Sequence, residues 1–167
     1  MSIKDEIAAW NEKSAEDIKA IYNTYSDQPD FSDTLIRLLE YVTYQKGASW
    51  LLKAQLEGGN HLNNRQAANV CRLLAKLEHW ETKLHLLQCL AHISVAKTQR
   101  KSVETFLRTT LADTNKFVRA WSYNGFYELA LQHPEYQHEA QQLLDMAMRD
   151  EAASVKARVR NILKKGF

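Results

Sequence analysis

The chain has 167 residues, 45% hydrophobic and 25% charged, a balance that excludes a disordered tail and a membrane-embedded protein. Five glycines and two prolines are too few for the tight hairpins of a β-sandwich or barrel, so long helices are expected. The net charge of +2 hides a gradient, because residues 1–60 hold six Lys/Arg against ten Asp/Glu while residues 61–167 hold sixteen against ten.

Along the chain, Met1-Ser2-Ile3-Lys4-Asp5-Glu6 lacks the charged-then-apolar order of a signal peptide, and no run long enough to span a membrane follows. Ser14 precedes Ala15-Glu16-Asp17, which places a hydroxyl acceptor and two carboxylates at the positive end of a helix. Ser32 is expected to do the same for Asp33–Leu39. Gly58-Gly59 ends the next helix, Asn63 or Asn64 opens the run through Val70, Leu73, Leu74 and Leu77, and His133-Pro134 stops a later one. Strand-like alternation is sustained nowhere. About ten helical segments result, closing on Lys156, Arg158, Arg160, Lys164 and Lys165 with no acid among the last twelve residues. Phe167 ends the sequence without a lipidation motif.

Self-similarity is the strongest pattern. Leu39, Leu73, Leu107 and Leu144 are spaced by 34, 34 and 37 residues, and each is followed eleven positions later by Trp50, Leu84, Val118 or Val155. Ile7 and Ile18 keep the same offset. Two apolar residues so placed across a turn bury the seam of a helical hairpin. Five such hairpins are too small to fold singly and share one core by stacking, so residues 1–167 read as a single all-α domain.

The fourth unit, Leu107-Arg108-Thr109-Thr110-Leu111-Ala112-Asp113-Thr114-Asn115-Lys116-Phe117-Val118-Arg119 followed by Ser122, Gly125, Phe126 and Leu129, resembles a HEAT repeat. Asp150, Val155-Lys156, Val159 and Ile162 repeat the spacing in the fifth. The third unit, with His79 and Leu84-His85, and the second, with Leu51 where Arg would stand, depart from it. The resemblance implies an armadillo-type, right-handed α-α superhelix whose second helices line a concave surface. It specifies a fold better than a function.

Asp113 and Arg119, with Asp150 and Lys156, are read as an Asp–Arg ladder between neighbouring turns, with acid–base catalysts or anion ligands as the alternative. His85, Cys89 and His92 share a helical stripe, read as seam residues rather than metal ligands. Trp10, Trp50, Trp80 and Trp121 are read as packing residues rather than a base-binding platform. Ser122 and Gly125 are expected to allow close helix approach. Val118 and Val155 are expected to face the seam, so that Asp at either unfolds the chain while Asp at Ala120, on the opposite face, is tolerated.

No nucleophile elbow, Walker loop, HExxH or kinase set occurs, so no catalytic residue, cofactor or metal is assigned and an enzyme is not the favoured reading. A helical wheel places Arg119, Tyr123 and Tyr127 on one face, with Lys156, Arg160 and Lys164 one repeat later and His85 one repeat earlier. These seven residues are read as a basic and aromatic concave strip, with an ordinary solvated face as the plain alternative. The expected function is a cytoplasmic, non-enzymatic binding module for an acidic protein or peptide, without a membrane partner. The alternative is a DNA-binding protein resembling the HEAT-like alkylpurine DNA glycosylases, in which case nucleic acid is the partner.

Overall fold

The computed structural model describes residues 1–167 and contains ten α-helices and no strand. They are α1 (Ile3–Ala9), α2 (Ala15–Tyr25), α3 (Phe31–Leu38), α4 (Val42–Glu57) and α5 (Asn64–Leu73), then α6 (Trp80–Cys89), α7 (Arg100–Leu111), α8 (Lys116–Gln132), α9 (Gln137–Asp150) and α10 (Ala153–Lys165). Short 3₁₀ turns extend several of their ends.

Local chemistry accounts for most boundaries. The Ser14 side chain accepts from the Asp17 amide, and Asn63 forms a reciprocal capping box with Gln66. At α8 one Asn115 oxygen accepts from both the Phe117 and Val118 amides. These bonds satisfy donors that the first helical turn leaves unpaired. Gly58 caps α4, with Gly59 at φ +95°. Ser32 is not the cap expected from sequence: α3 begins one residue ahead of it, after Asp30, because Phe31 is drawn into the core.

The even-numbered helices α4, α6, α8 and α10 pack closely in succession, and α3, α5 and α7 form a more loosely spaced second layer. Helices α1 and α2 both lie on α4. The result is a repeat solenoid in which each unit covers the apolar face of its neighbour. One large core runs from Ile7 to Ala140, and a smaller one joins Ala120 and Tyr127 to Leu144, Val155, Val159 and Ile162. Helix α8 belongs to both and is buried along most of its circumference.

Close approach on α8 depends on Gly125. A Cβ there would lie 2.7 Å from Leu107 Cδ2 and 3.1 Å from Leu90 Cδ1, while the buried Ser122 hydroxyl donates to the Val118 carbonyl at 2.6 Å. Among the residues of the eleven-residue offset, Leu107, Leu144, Val118 and Val155 are all at the seam, as are Ile7 and Ile18. Trp50 and Leu84 are only partly buried; Leu51, Leu52, Leu86 and Leu87 take the deep positions there. The reason is that Leu39 and Leu73 stand at helix ends, whereas Leu107 and Leu144 lie mid-helix, so the same offset reaches a different turn of the following helix.

Polar side chains bind neighbouring units. Buried Gln45 donates to the carbonyls of Leu39 and Lys76 and accepts from the Glu78 amide. Gln132 donates to the Ile93 carbonyl and accepts from the Val95 amide at 2.7 Å. Glu104 on α7 receives the Tyr136 hydroxyl at 2.6 Å, Lys101 at 3.1 Å and Arg108 at 3.2 Å, and Arg108 makes a two-pronged bond to Glu139 on α9. The Tyr136 hydrogen bond, with the two cations, holds the Glu104 carboxyl down at about 2.

Two stability predictions follow from this packing. Val118→Asp and Val155→Asp each bury a carboxylate without a partner and cost several kcal/mol of a total of about 5–15. Ala120 is 6% exposed and packs in the smaller core, so its expected tolerance is corrected: Ala120→Asp also lowers the melting temperature strongly, whereas Asp at exposed Thr105 leaves it nearly unchanged in a thermal melt. For Glu104 the depressed folded value means that its stabilisation is complete above the ordinary 4.5 and is lost as pH falls toward about 2. Glu104→Gln therefore destabilises by about 2 kcal/mol at neutral pH, and urea titrations at successively lower pH show the gap from the parent protein closing through that window.

Candidate interaction surface

The even-numbered helices follow one another closely, and the odd-numbered ones are more loosely spaced. Helix α8 has α6 and α10 at its flanks and α7 and α9 behind it. On its remaining stripe, Phe117, Trp121, Asn124 and Glu128 at helical spacing, Phe117 is exposed, Trp121 and Glu128 are half-buried and Asn124 is buried. Structurally equivalent sixth positions of α6, α8 and α10 are His85, Trp121 and Arg158. The Arg158 guanidinium lies 4.1 Å from the centre of the Trp121 ring, a stacked cation–π contact across two repeats.

The seven residues singled out from the sequence occupy three places. His85 sits between α4 and α6, where its Nδ1 is 2.8 Å from the Ser49 hydroxyl. Arg119 and Tyr123 line a shallow cleft of about 330 Å³ with Leu111, Leu143, Met146 and Glu151. Tyr127 is not on an exposed face: it is 5% exposed, packs against α10 and donates its hydroxyl to the Gly166 carbonyl at 2.7 Å. Lys156, Arg160 and Lys164 hold the equivalent positions on α10 and form a stripe there, with Arg160 and Lys164 exposed. A helical wheel assigns one angle to all of these positions. On α8 that angle is covered by α10, and on α10 it is open.

The sequence profile of the HEAT repeat domain matches residues 9–166. The chain belongs to the HEAT repeat domain family. No curated protein and no solved structure matches it.

In this HEAT array the expected Asp–Arg ladder does not form: a single Arg119–Glu151 rung stands in its place, and Asp150 and Lys156 enter no ion pair. Arg119 makes a two-pronged bond to Glu151 at 2.9 and 3.1 Å, not to an Asp carboxylate, and donates from Nη1 to the Asp113 and Thr114 carbonyls. The Asp113 carboxylate instead accepts from the Asn115 amide and closes its own turn. Arg119 thus ties one repeat's turn to the next. His85, Cys89 and His92 do not converge, because α6 ends at Cys89 and His92 lies exposed in the following 3₁₀ turn. Burial pushes the Cys89 thiol far above its ordinary range and the Cys71 thiol up to about 11, so neither presents a thiolate.

The tryptophans divide. Trp10 donates to the Ser14 carbonyl, Trp50 packs on the core, Trp121 carries Arg158, and Trp80 is 43% exposed. Sequence reasoning missed the Trp121–Arg158 pair. Its signal was available as the shared sixth position of each second helix, once the helix starts are known.

Two outcomes test these assignments. Burial, with Lys53 and Lys46 nearby, lowers His85 to about 4. Stability therefore falls as pH drops from about 6.5 toward 4, where only the unfolded chain takes up the proton; NMR titration of the ring shows no protonation between pH 5 and 8. Arg119→Lys loses the two-pronged bond to Glu151 and lowers the melting temperature, while Lys156→Arg leaves it unchanged.

Proposed function

We propose that the chain is an interaction module whose α10 surface receives an acidic protein or peptide. HEAT repeat domains serve generally as scaffolds for protein interactions, and that coarse role follows from family membership. The acidic partner is inferred from one observation. Helix α10 carries Lys156, Arg158, Arg160, Lys164 and Lys165 without a single carboxylate, and none of the five enters an ion pair within 4.0 Å. By contrast, Arg100, Lys101, Arg108 and Arg119 on α7 and α8 are all paired.

Like charges on adjacent turns repel one another, and a binding partner's carboxylates offset that repulsion. Arg158 extends the same surface onto the Trp121 ring. Arginine beside a flat aromatic ring is a common anchor at protein interfaces. Arg119 and Tyr127 serve this surface indirectly, by holding α10 against α8.

The double variant Arg160→Glu, Lys164→Glu tests the reading, since both side chains are exposed and reversal leaves the helix content intact. Affinity recovery from native extract with the parent and the variant, each with and without nuclease, is the measurement. Loss of the recovered protein with the variant, insensitive to nuclease, is the expected result. Unchanged recovery overturns the assignment of the surface. Nuclease-sensitive recovery, with affinity falling steeply as salt rises, replaces the acidic protein with nucleic acid.

A further inference from the structure

The helices α6, α8 and α10 stand in a defined register. Arg158 of α10 rests on Trp121 of α8, 37 positions earlier. Burial raises the Glu128 carboxyl of α8, and Lys165 of α10, again 37 positions away, and His92 just past α6, 36 positions away, draw it back. A Cβ on Gly125 of α8 would lie 3.6 Å from Leu87 of α6. At these offsets Gln88, Asn124 and Asn161 fall side by side, each the ninth residue of its helix. The stripe of His85, Trp121 and Arg158 lies one turn ahead of them, so the three amides share its face.

None of the three amides makes a hydrogen bond within the chain. Gln88 is half-buried with its oxygen wholly enclosed, Asn124 is 6% exposed and Asn161 is exposed. The buried amide residues of this protein are Gln45, Gln55 and Asn124. Gln45 donates to two carbonyls and Gln55 accepts from the Tyr22 hydroxyl; Asn124 alone is unpaired. A buried amide costs stability unless a partner satisfies it. Nothing in the joining of the repeats uses this row.

We propose that the row binds the main chain of an extended segment of another protein that crosses α6, α8 and α10. A primary amide carries both a donor and an acceptor, as a peptide group does. Helices and sheets have already paired their own N–H and C=O groups, so the amides select a chain whose backbone is free. Charge orients that chain. Beside the row on these helices Glu128 is the one carboxylate, with His92 and Lys165 as neighbours, and Glu57 of α4 is paired with Lys53. Arg158 and Lys165 stand one turn to either side of Asn161. Acidic residues of the segment therefore lie over α10, and in that respect the inference rests on the α10 surface proposed above.

Fluorescence anisotropy with two labelled peptides tests it. Both have about twelve residues of alternating Thr and Glu, enough when extended to cross three helices. The second carries ester links in place of its central peptide links, which removes N–H donors and keeps every side chain and charge. The parent protein binds the first at least about tenfold more tightly. Asn124→Leu, of similar size and without the amide, weakens the first about tenfold and the second by less than about threefold, without lowering the melting temperature. Gln88→Met does the same. Arg160→Glu, Lys164→Glu weakens both peptides by one factor, so their ratio survives. Equal binding of the two peptides by the parent, or an equal loss of both on Asn124→Leu, overturns the row and leaves the α10 surface standing. Absence of binding at millimolar peptide overturns the row as well, and recovery from extract then judges α10 by itself. Binding of single-stranded oligothymidine that Asn124→Leu abolishes and the peptide does not displace overturns it too, and assigns the row to nucleic acid.

Discussion

No helical pair in this chain can bury its own apolar surface, and everything else in the structure is a consequence of the next pair covering it. Helix α8 shows the constraint at its strongest. Val118, Phe126 and Leu129 belong to the large core and Ala120 and Tyr127 to the small one, so a single helix closes two seams on opposite sides. A helix covered on both flanks has little surface left to vary. What remains is the cleft lined by Arg119 and Tyr123 and the stripe from Phe117 to Glu128 that holds Trp121.

Burial alone sets no register between stacked helices, since leucines pack against one another in many arrangements. Directional bonds between units restrict the choice. Gln45, Glu104, Arg108, Arg119 and Gln132 each reach a partner about one repeat away, at separations from 31 to 39 residues. The contacts of Gln45, Glu104, Arg119 and Gln132 are at least part-buried, where a charged or amide group left unpaired costs more than the bond itself contributes; the Arg108–Glu139 pair lies exposed. The wrong register therefore loses twice, once in packing and once in unsatisfied polar groups.

This division of labour explains why the cations of α10 stand apart. On α7 and α8 the arginines Arg100, Arg108 and Arg119 are engaged in joining repeats, and their partners Glu135, Glu139 and Glu151 come from the following unit. On α10 the same helical angle carries Lys156, Arg160 and Lys164 with no such acid in reach. A position that is structural in one repeat is thus available for recognition in the next. The exposed rings at the starts of α4, α6 and α8 differ, because they lie at the turn edge where neighbouring units do not cover them.

The amino-acid sequence by itself determined the helices and much of their seams. Caps such as Ser14, Asn63 and Asn115 act within three residues, and the apolar spacing of Leu107 with Val118 and Leu144 with Val155 lies within one hairpin. Interactions that close over a short stretch of chain leave their signature in adjacent residues. Only the tertiary structure decided which side of each helix is covered. A helical wheel gives the angle between Arg119, Tyr123 and Tyr127, but not that α10 lies across it and seals Tyr127. It likewise could not show that Glu151 rather than an Asp receives Arg119, that Ala120 is interior, or that Arg158 rests on Trp121. Those facts depend on how far one repeat is rotated and shifted against the next, a quantity set by summed packing over both faces and written in no single stretch of sequence.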